Sequence, residues 1–182
     1  MTPGFGPTAT ETPFLKGLPA EEAAQDPFSE KDYTLTGKTG KPVGWFGIVR
    51  EKKFDEKRNA TKLLLEMKYF DGMTDLHIHV VSIYGAGDFT AELPGKADVL
   101  AMLDLVRIYG KVAREEKGIP EVAPEYVRVW DWGLFTFMDY GKDKSNPQWV
   151  KLRKVTGPDV YSPRPTKKFY EDRLGPREPP PK

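Results

Sequence analysis

Two histidines, His77 and His79, are the only ones in the chain, and they stand two residues apart. On an extended strand this spacing points both imidazoles to one side, from which Zn²⁺ or Cu²⁺ could be held. A metal site needs further ligands, and the chain has no cysteine. The plainer reading is two solvated imidazoles on an outer sheet face. No metal centre and no cofactor is therefore expected, and His77 and His79 are the pair that would carry a metal. Gly37-Lys38-Thr39 ends like a phosphate loop, but Asp32 stands where the first glycine belongs. Pro42 and an extended run also follow, where a helix is required. Asp139, Asp143 and Ser145 suggest calcium ligands without the spaced glycine and closing glutamate of a calcium loop. Asn59-Ala60-Thr61 fits the glycosylation sequon, which matters only for an exported eukaryotic chain. Without cysteine, and with histidine confined to one place, the usual nucleophile–base pairs are nearly excluded. The expectation is that the chain is not an enzyme.

The residue types that remain are those of a binding face. In Tyr126-Val-Arg-Val-Trp130-Asp-Trp132, alternation sets Val127 and Val129 on one side and Tyr126, Arg128, Trp130 and Trp132 on the other. In Leu105–Val112, Arg107, Tyr109 and Lys111 oppose Val106, Ile108 and Val112. Together they form a candidate surface of aromatic rings mixed with cations. Such a surface can stack bases and hold phosphates. It can equally seat a protein, because Trp, Tyr and Arg are the common interface anchors. A third reading has the C-terminal tail lying over this face, with Trp149 or Tyr161 packed on it.

Period-two patterning supplies the elements that must present those residues. Val43–Lys53 reads as a first strand, with Gly44 and Gly47 marking a bulge or bend. Thr61–Phe70 reads as a second, with Leu63, Leu65, Met67 and Tyr69 on one face. Asp71-Gly72 predicts a tight hairpin. Leu76–Tyr84 reads as a third strand, with Phe89–Leu93 as its continuation. Lys96–Leu103 reads as a short helix with Val99, Leu100 and Leu103 as its apolar stripe. Leu105–Glu115 and Glu121–Phe137 read as strands four and five, joined through Lys117-Gly118 and interrupted by Pro124 and Gly133.

On Val43-Gly-Trp-Phe-Gly-Ile-Val49 and Leu105-Val-Arg-Ile-Tyr-Gly-Lys-Val112, the chain resembles the OB-fold superfamily. The resemblance implies a mainly β protein with a five-stranded Greek-key barrel and one short helix between strands three and four. It spans residues 41–141. It also implies binding, since such barrels hold single-stranded nucleic acid, sugars or proteins. The usual ligand face of that fold, strands two and three, would present Lys62, Leu64, Glu66, Lys68, Phe70, His77, His79 and Val81. That set is poor in stacking rings.

Residues 1–40 and 142–182 read as extended tails. The second carries eight prolines, and Pro-rich chain holds no hydrogen-bonded ladder. Glu21 and Glu22 after Pro19 suggest one helical turn in the first. Both tails carry aromatic residues that unpartnered linkers usually lack. Phe14 and Phe28 are candidate anchors in the first, and Trp149, Tyr161, Phe169 and Tyr170 in the second. They could fold back on their own barrel or dock on another chain. Net charge is −3 over residues 1–40, −2 over 41–141 and +6 over 142–182. A slightly acidic barrel is a poor start for binding phosphates.

No apolar run approaches the roughly 18 residues that span a bilayer, and Met1–Thr10 shows no signal peptide. A soluble, cytoplasmic protein is the expectation, although an exported form already processed would read the same way. The expected function is that of a non-catalytic binding or assembly module. Its partner would be a protein or larger complex, with single-stranded nucleic acid as the alternative.

Overall fold

The computed structural model describes residues 7–23, 33–73, 79–82, 85–98, 100–130, 136–139, 154–156 and 170–173. Among them the chain forms α1 (Thr12–Lys16) and α2 (Ala20–Ala23). The strands follow: β1 (Pro42–Asp55), β2 (Ala60–Met67), β3 (Phe70–Met73), β4 (His79–Ser82), β5 (Gly87–Pro94), β6 (Leu105–Glu116), β7 (Ile119–Trp130), β8 (Thr136–Asp139), β9 (Lys154–Thr156) and β10 (Tyr170–Arg173). Five of the strands close on one another in the order β1-β2-β5-β7-β6 and back to β1. Every neighbouring pair in that ring is antiparallel except β5 with β7. The β5–β7 seam that completes the closure is short, formed by Thr90↔Glu121 and Ala91↔Val122. This mixed barrel is consistent with an OB-like barrel at the level of topology.

The interior follows from period-two patterning. Leu63, Leu65 and Met67 of β2 are buried, as are Val106, Ile108 and Val112 of β6 and Val127 and Val129 of β7. Each large aliphatic side chain so buried contributes about 1.5–3 kcal/mol. Trp45 of β1 fills the centre, its ring edge-on to Phe89 at 5.2 Å between centroids. Gly47 makes room there, because a Cβ on it would lie 3.0 Å from the Phe89 ring. β1 can serve two neighbours because it is long. Its first half pairs with β6 and its second half with β2. Its bulge falls between Val49 and Glu51, beyond the two glycines. A second bulge is on β7, where Tyr109 pairs with Tyr126 and Gly110 with Pro124, so that Glu125 is the extra residue beside Pro124. A proline can stand in a strand at such a place because its missing N–H breaks no ladder bond. Lys117-Gly118 turns the chain from β6 into β7 with both residues at positive φ, the conformation that a two-residue hairpin demands.

Three expectations are corrected. The third barrel strand is β5, not residues 76–84. Phe89, Ala91 and Leu93 alternate inward there, and the strand runs in unbroken register along β2 from Met67↔Gly87 to Ala60↔Pro94. β4, within the earlier segment, belongs to a separate four-stranded sheet ordered β3-β4-β8-β9. Asp71-Gly72 lies inside β3, at a register shift, and not at a hairpin turn. No helix occupies the described part of 96–103. Ala97 and Leu103 take positive φ, which an α-helix does not allow. Lys52 Nζ donates to the carbonyls of Ala97 and Leu100 at 3.2 and 2.9 Å, satisfying acceptors that a helix would have used. The helices described instead precede β1. α2 is the turn expected after Pro19, with the N–H groups of Glu22 and Ala23 donating to the Pro19 carbonyl.

Candidate functional site

The outer face of β1, β6 and β7 is built from residues that alternation turns away from the core. Phe46 comes from β1, Arg107 and Tyr109 from β6, and Tyr126 and Arg128 from β7. Cross-strand register brings them together, with Tyr109 opposite Tyr126 and Arg107 opposite Arg128 on one side, and Arg107 opposite Phe46 on the other. All five are buried. The cover is the N-terminal segment.

That segment is set by a local device. The Glu11 N–H donates to Thr8 Oγ1 at 3.0 Å, and Glu11 Oε2 accepts from the Thr8 N–H at 3.3 Å. This is a reciprocal capping box, which starts a helical turn and fixes its entry angle. The Thr12 N–H continues the turn by donating to the Thr8 carbonyl. The cap also aims the Glu11 carboxylate at the barrel. Arg128 pairs with Oε2, the Tyr109 hydroxyl donates to Oε1 at 2.5 Å, and the Arg107 guanidinium lies 3.8 Å from Oε1. Phe14, one turn on, stacks on Tyr126 with centroids 5.1 Å apart and lies 5.9 Å from Tyr109. Arg107 is held further by the Gly44 carbonyl at 3.1 Å and by the rings of Phe46 and Tyr109 at 4.5 and 4.9 Å.

Glu11 and Arg128 are each 1% exposed and Arg107 is 8% exposed. In so dry a setting a charge is tolerated only beside its counter-charge. Burial holds the Arg107 guanidinium below its ordinary range, while Tyr109 and Glu11 pull the other way. Burial likewise pushes the Tyr109 hydroxyl up; Arg107 opposes this and Glu11 adds to it. The phenol stays protonated and acts as a donor.

A second carboxylate of the same segment reaches the core tryptophan. Glu22 of α2 accepts from Trp45 Nε1 at 3.2 Å and pairs with Lys38 and the Tyr33 hydroxyl. Trp45 Nε1 also donates to the Tyr33 oxygen at 2.5 Å. Burial, with the bond to Glu22, pushes the Tyr33 hydroxyl well above its ordinary value.

The remaining candidates distribute as follows. Lys111 is exposed at the far end of the β6 row. Trp130 ends β7 opposite Leu105, Tyr170 opens β10 opposite Val129, and His79 begins β4. Trp132, His77, Phe28, Trp149, Tyr161 and Phe169 lie outside the described residues. Glu11 and Glu22, which hold the segment in place, are not among the sequence-derived candidates. The signal that could have found Glu11 is Thr8-x-x-Glu11 ahead of Phe14-Leu15, a capping box before an apolar pair.

Elsewhere, a shallow groove of about 180 Å³ is lined by Lys62, Thr90, Arg114, Glu116, Lys117, Ile119 and Glu121. Its charges are mixed, and Arg114 pairs with Glu121 at 3.0 Å. Among the described residues no three His, Cys, Asp or Glu side chains converge to hold a metal ion, and no helix is long and apolar enough to cross a membrane. No protein-family model, curated protein or solved structure matches the chain.

Proposed function

We propose that this chain is a non-catalytic binding module, an OB-like barrel that joins a protein assembly through aromatic-bearing segments laid on barrel faces. The observation that carries the reading is the docked N-terminal segment. A stretch of chain lies on the β1–β6–β7 face through a carboxylate between two guanidiniums and a ring stacked on a tyrosine. Arginine and aromatic anchors around a desolvated centre are the make-up of protein-binding surfaces. The barrel interior is filled by apolar side chains around Trp45 and Phe89, which suits a scaffold. Single-stranded nucleic acid is the less favoured ligand. Tyr109 and Tyr126, the rings that would stack bases, are engaged by Phe14, and the arginines beside them by Glu11.

The test is recovery of the tagged full-length chain from its native source, followed by cross-linking and mass spectrometry. Stoichiometric recovery with a protein partner is expected. A monomer that carries no protein, but binds oligonucleotides with an affinity falling steeply with salt, would replace this reading with the nucleic-acid one.

A further inference from the structure

We propose that β10 is a latch, by which the C-terminal tail closes the edge of β7 that the barrel seam leaves open and brings Glu171 to the buried arginine pair as its second counter-charge. The latch opens while the rest of the barrel stays folded. This goes beyond the binding-module reading and needs no partner chain.

The open edge follows from the seam. β5 has eight residues, yet it meets β7 only at Thr90↔Glu121 and Ala91↔Val122. Pro124 and the bulged Glu125 lie just beyond, where that parallel ladder has ended. From Tyr126 to Val129, β7 pairs with β6 along one edge and with β10 along the other. A bare sheet edge invites pairing with any extended chain, and β10 covers this one. The tail's sequence suits the part. Pro165 and Pro176 bracket β10, and the ten residues between them hold no proline. Pro147 and Pro158 bracket β9 in the same way. Each proline removes a ladder donor, so strand pairing in the tail is confined to such windows.

The register adds an electrostatic argument. Across β1, β6, β7 and β10 one row runs Phe46, Arg107, Arg128, Glu171. Residues directly opposite one another on paired strands share a face and interact. Arg107 and Arg128 bring two positive charges to a dry site, and Glu11 supplies one negative charge. Buried cations need matching counter-charges. The β10 position across from Arg128 is a glutamate, in a tail whose net charge is +6. The latch is also separable from the body. β10 has four residues, and the stretch that joins it to β9 holds Pro158, Pro163 and Pro165. Its hold is one short ladder and one charge pair, whereas β2 is paired along both edges over its whole length. Elements so lightly held open at a lower free energy than the core.

The test is native-state hydrogen exchange on the full-length chain, read residue by residue by NMR. In the unmodified protein, the amides of residues 126–129 that face β10 should be protected, yet exchange at least about tenfold faster than those of β2. Glu171→Gln removes the charge and keeps the shape. It should speed exchange at the same β7 amides at least about tenfold and leave β2 unmoved. Asp172→Pro with Arg173→Pro keeps Glu171 and removes one ladder donor, whichever of the two N–H groups faces β7. The same amides should lose protection. In an Arg128→Met background, Glu171→Gln should have no further effect. The proposal is overturned if those amides exchange like exposed chain in the unmodified protein, or if Glu171→Gln leaves them unchanged. It is also overturned if they exchange only together with β2, which makes β10 part of the body. An equal effect of Glu171→Gln with and without Arg128 overturns it as well, since the charge then serves another group.

Discussion

Glu11 and Arg128 stand 117 positions apart and form an ion pair in which each side chain is only 2% exposed. The pair ties the N-terminal segment to the last strand of the barrel ring. Removing one member of such a pair strands the other charge in a dry site. Glu11→Gln is expected to cost about 3–5 kcal/mol, measured by urea unfolding. Replacing both members by apolar residues, Glu11→Leu with Arg128→Met, removes the Arg128 charge but leaves Arg107 without its carboxylate. The double variant should therefore be more stable than Glu11→Leu alone, and a double-mutant cycle with no coupling would contradict the buried pair.

Arg58 and Glu92 form the contrasting case. Their two bonds, at 2.8 and 2.6 Å, join the β1–β2 turn to β5 at the surface, and the arginine side chain is 62% exposed. Water already solvates both groups, so Glu92→Gln should cost less than about 1 kcal/mol. What it costs should shrink further in high salt, whereas the cost of Glu11→Gln should hardly change. Thermal melts at low and high ionic strength separate the two.

Gly110 allows β6 and β7 to approach at their bulge. A Cβ there would stand 2.0 Å from the Ala123 carbonyl oxygen, a backbone atom of the paired strand that cannot swing aside. Gly110→Ala is expected to cost about 3 kcal/mol or more. At Gly44 the Cβ would meet Leu18 and the Tyr109 ring, each at 2.8 Å, and Leu18 is the far end of a flexible side chain. Gly44→Ala should cost less, about 1–3 kcal/mol. Leu18→Ala should be milder in the Gly44→Ala background than in the wild type, because the crowding atom is then gone. Equal effects in the two backgrounds would contradict that contact.

Tyr33 and Tyr109 keep their protons far above the ordinary value of 10.0, chiefly through burial. In the unfolded chain both ionise near 10. Their contribution to stability is therefore whole below pH 10 and is lost as pH rises beyond it toward the folded-state values. Spectrophotometric titration should leave Tyr33 and Tyr109 un-ionised until the protein unfolds in alkali. Tyr33→Phe with Tyr109→Phe should flatten the alkaline fall in stability. An unchanged alkaline limb in the double variant would rule these two residues out as its source.

Much of the barrel is legible because burial in a strand repeats every two residues. Leu63, Leu65 and Met67, or Val106 and Ile108, declare their inner face without reference to anything distant. The same rule misplaces the third strand. Residues 76–82 and Phe89–Leu93 both alternate, and pattern alone does not choose between them. The choice is made by the eight-residue register that β5 forms with β2. The expected helix at 96–103 fails for a similar reason. Its apolar spacing is helical, but Lys52 from another strand takes its carbonyls and two of its residues lie at positive φ.

The same division holds for the candidate face. Alternation sets Arg107, Tyr109, Tyr126 and Arg128 together and away from the core, and the types of those residues mark a surface suited to holding another chain. That much is local, readable because a strand turns every second side chain the same way. Which chain lies there, and that residues 7–23 meet those arginines with Glu11, was decided only by the tertiary structure. Electrostatic pairing and ring stacking act across space, and nothing in the spacing of residues 11 and 128 records that folding brings them into contact.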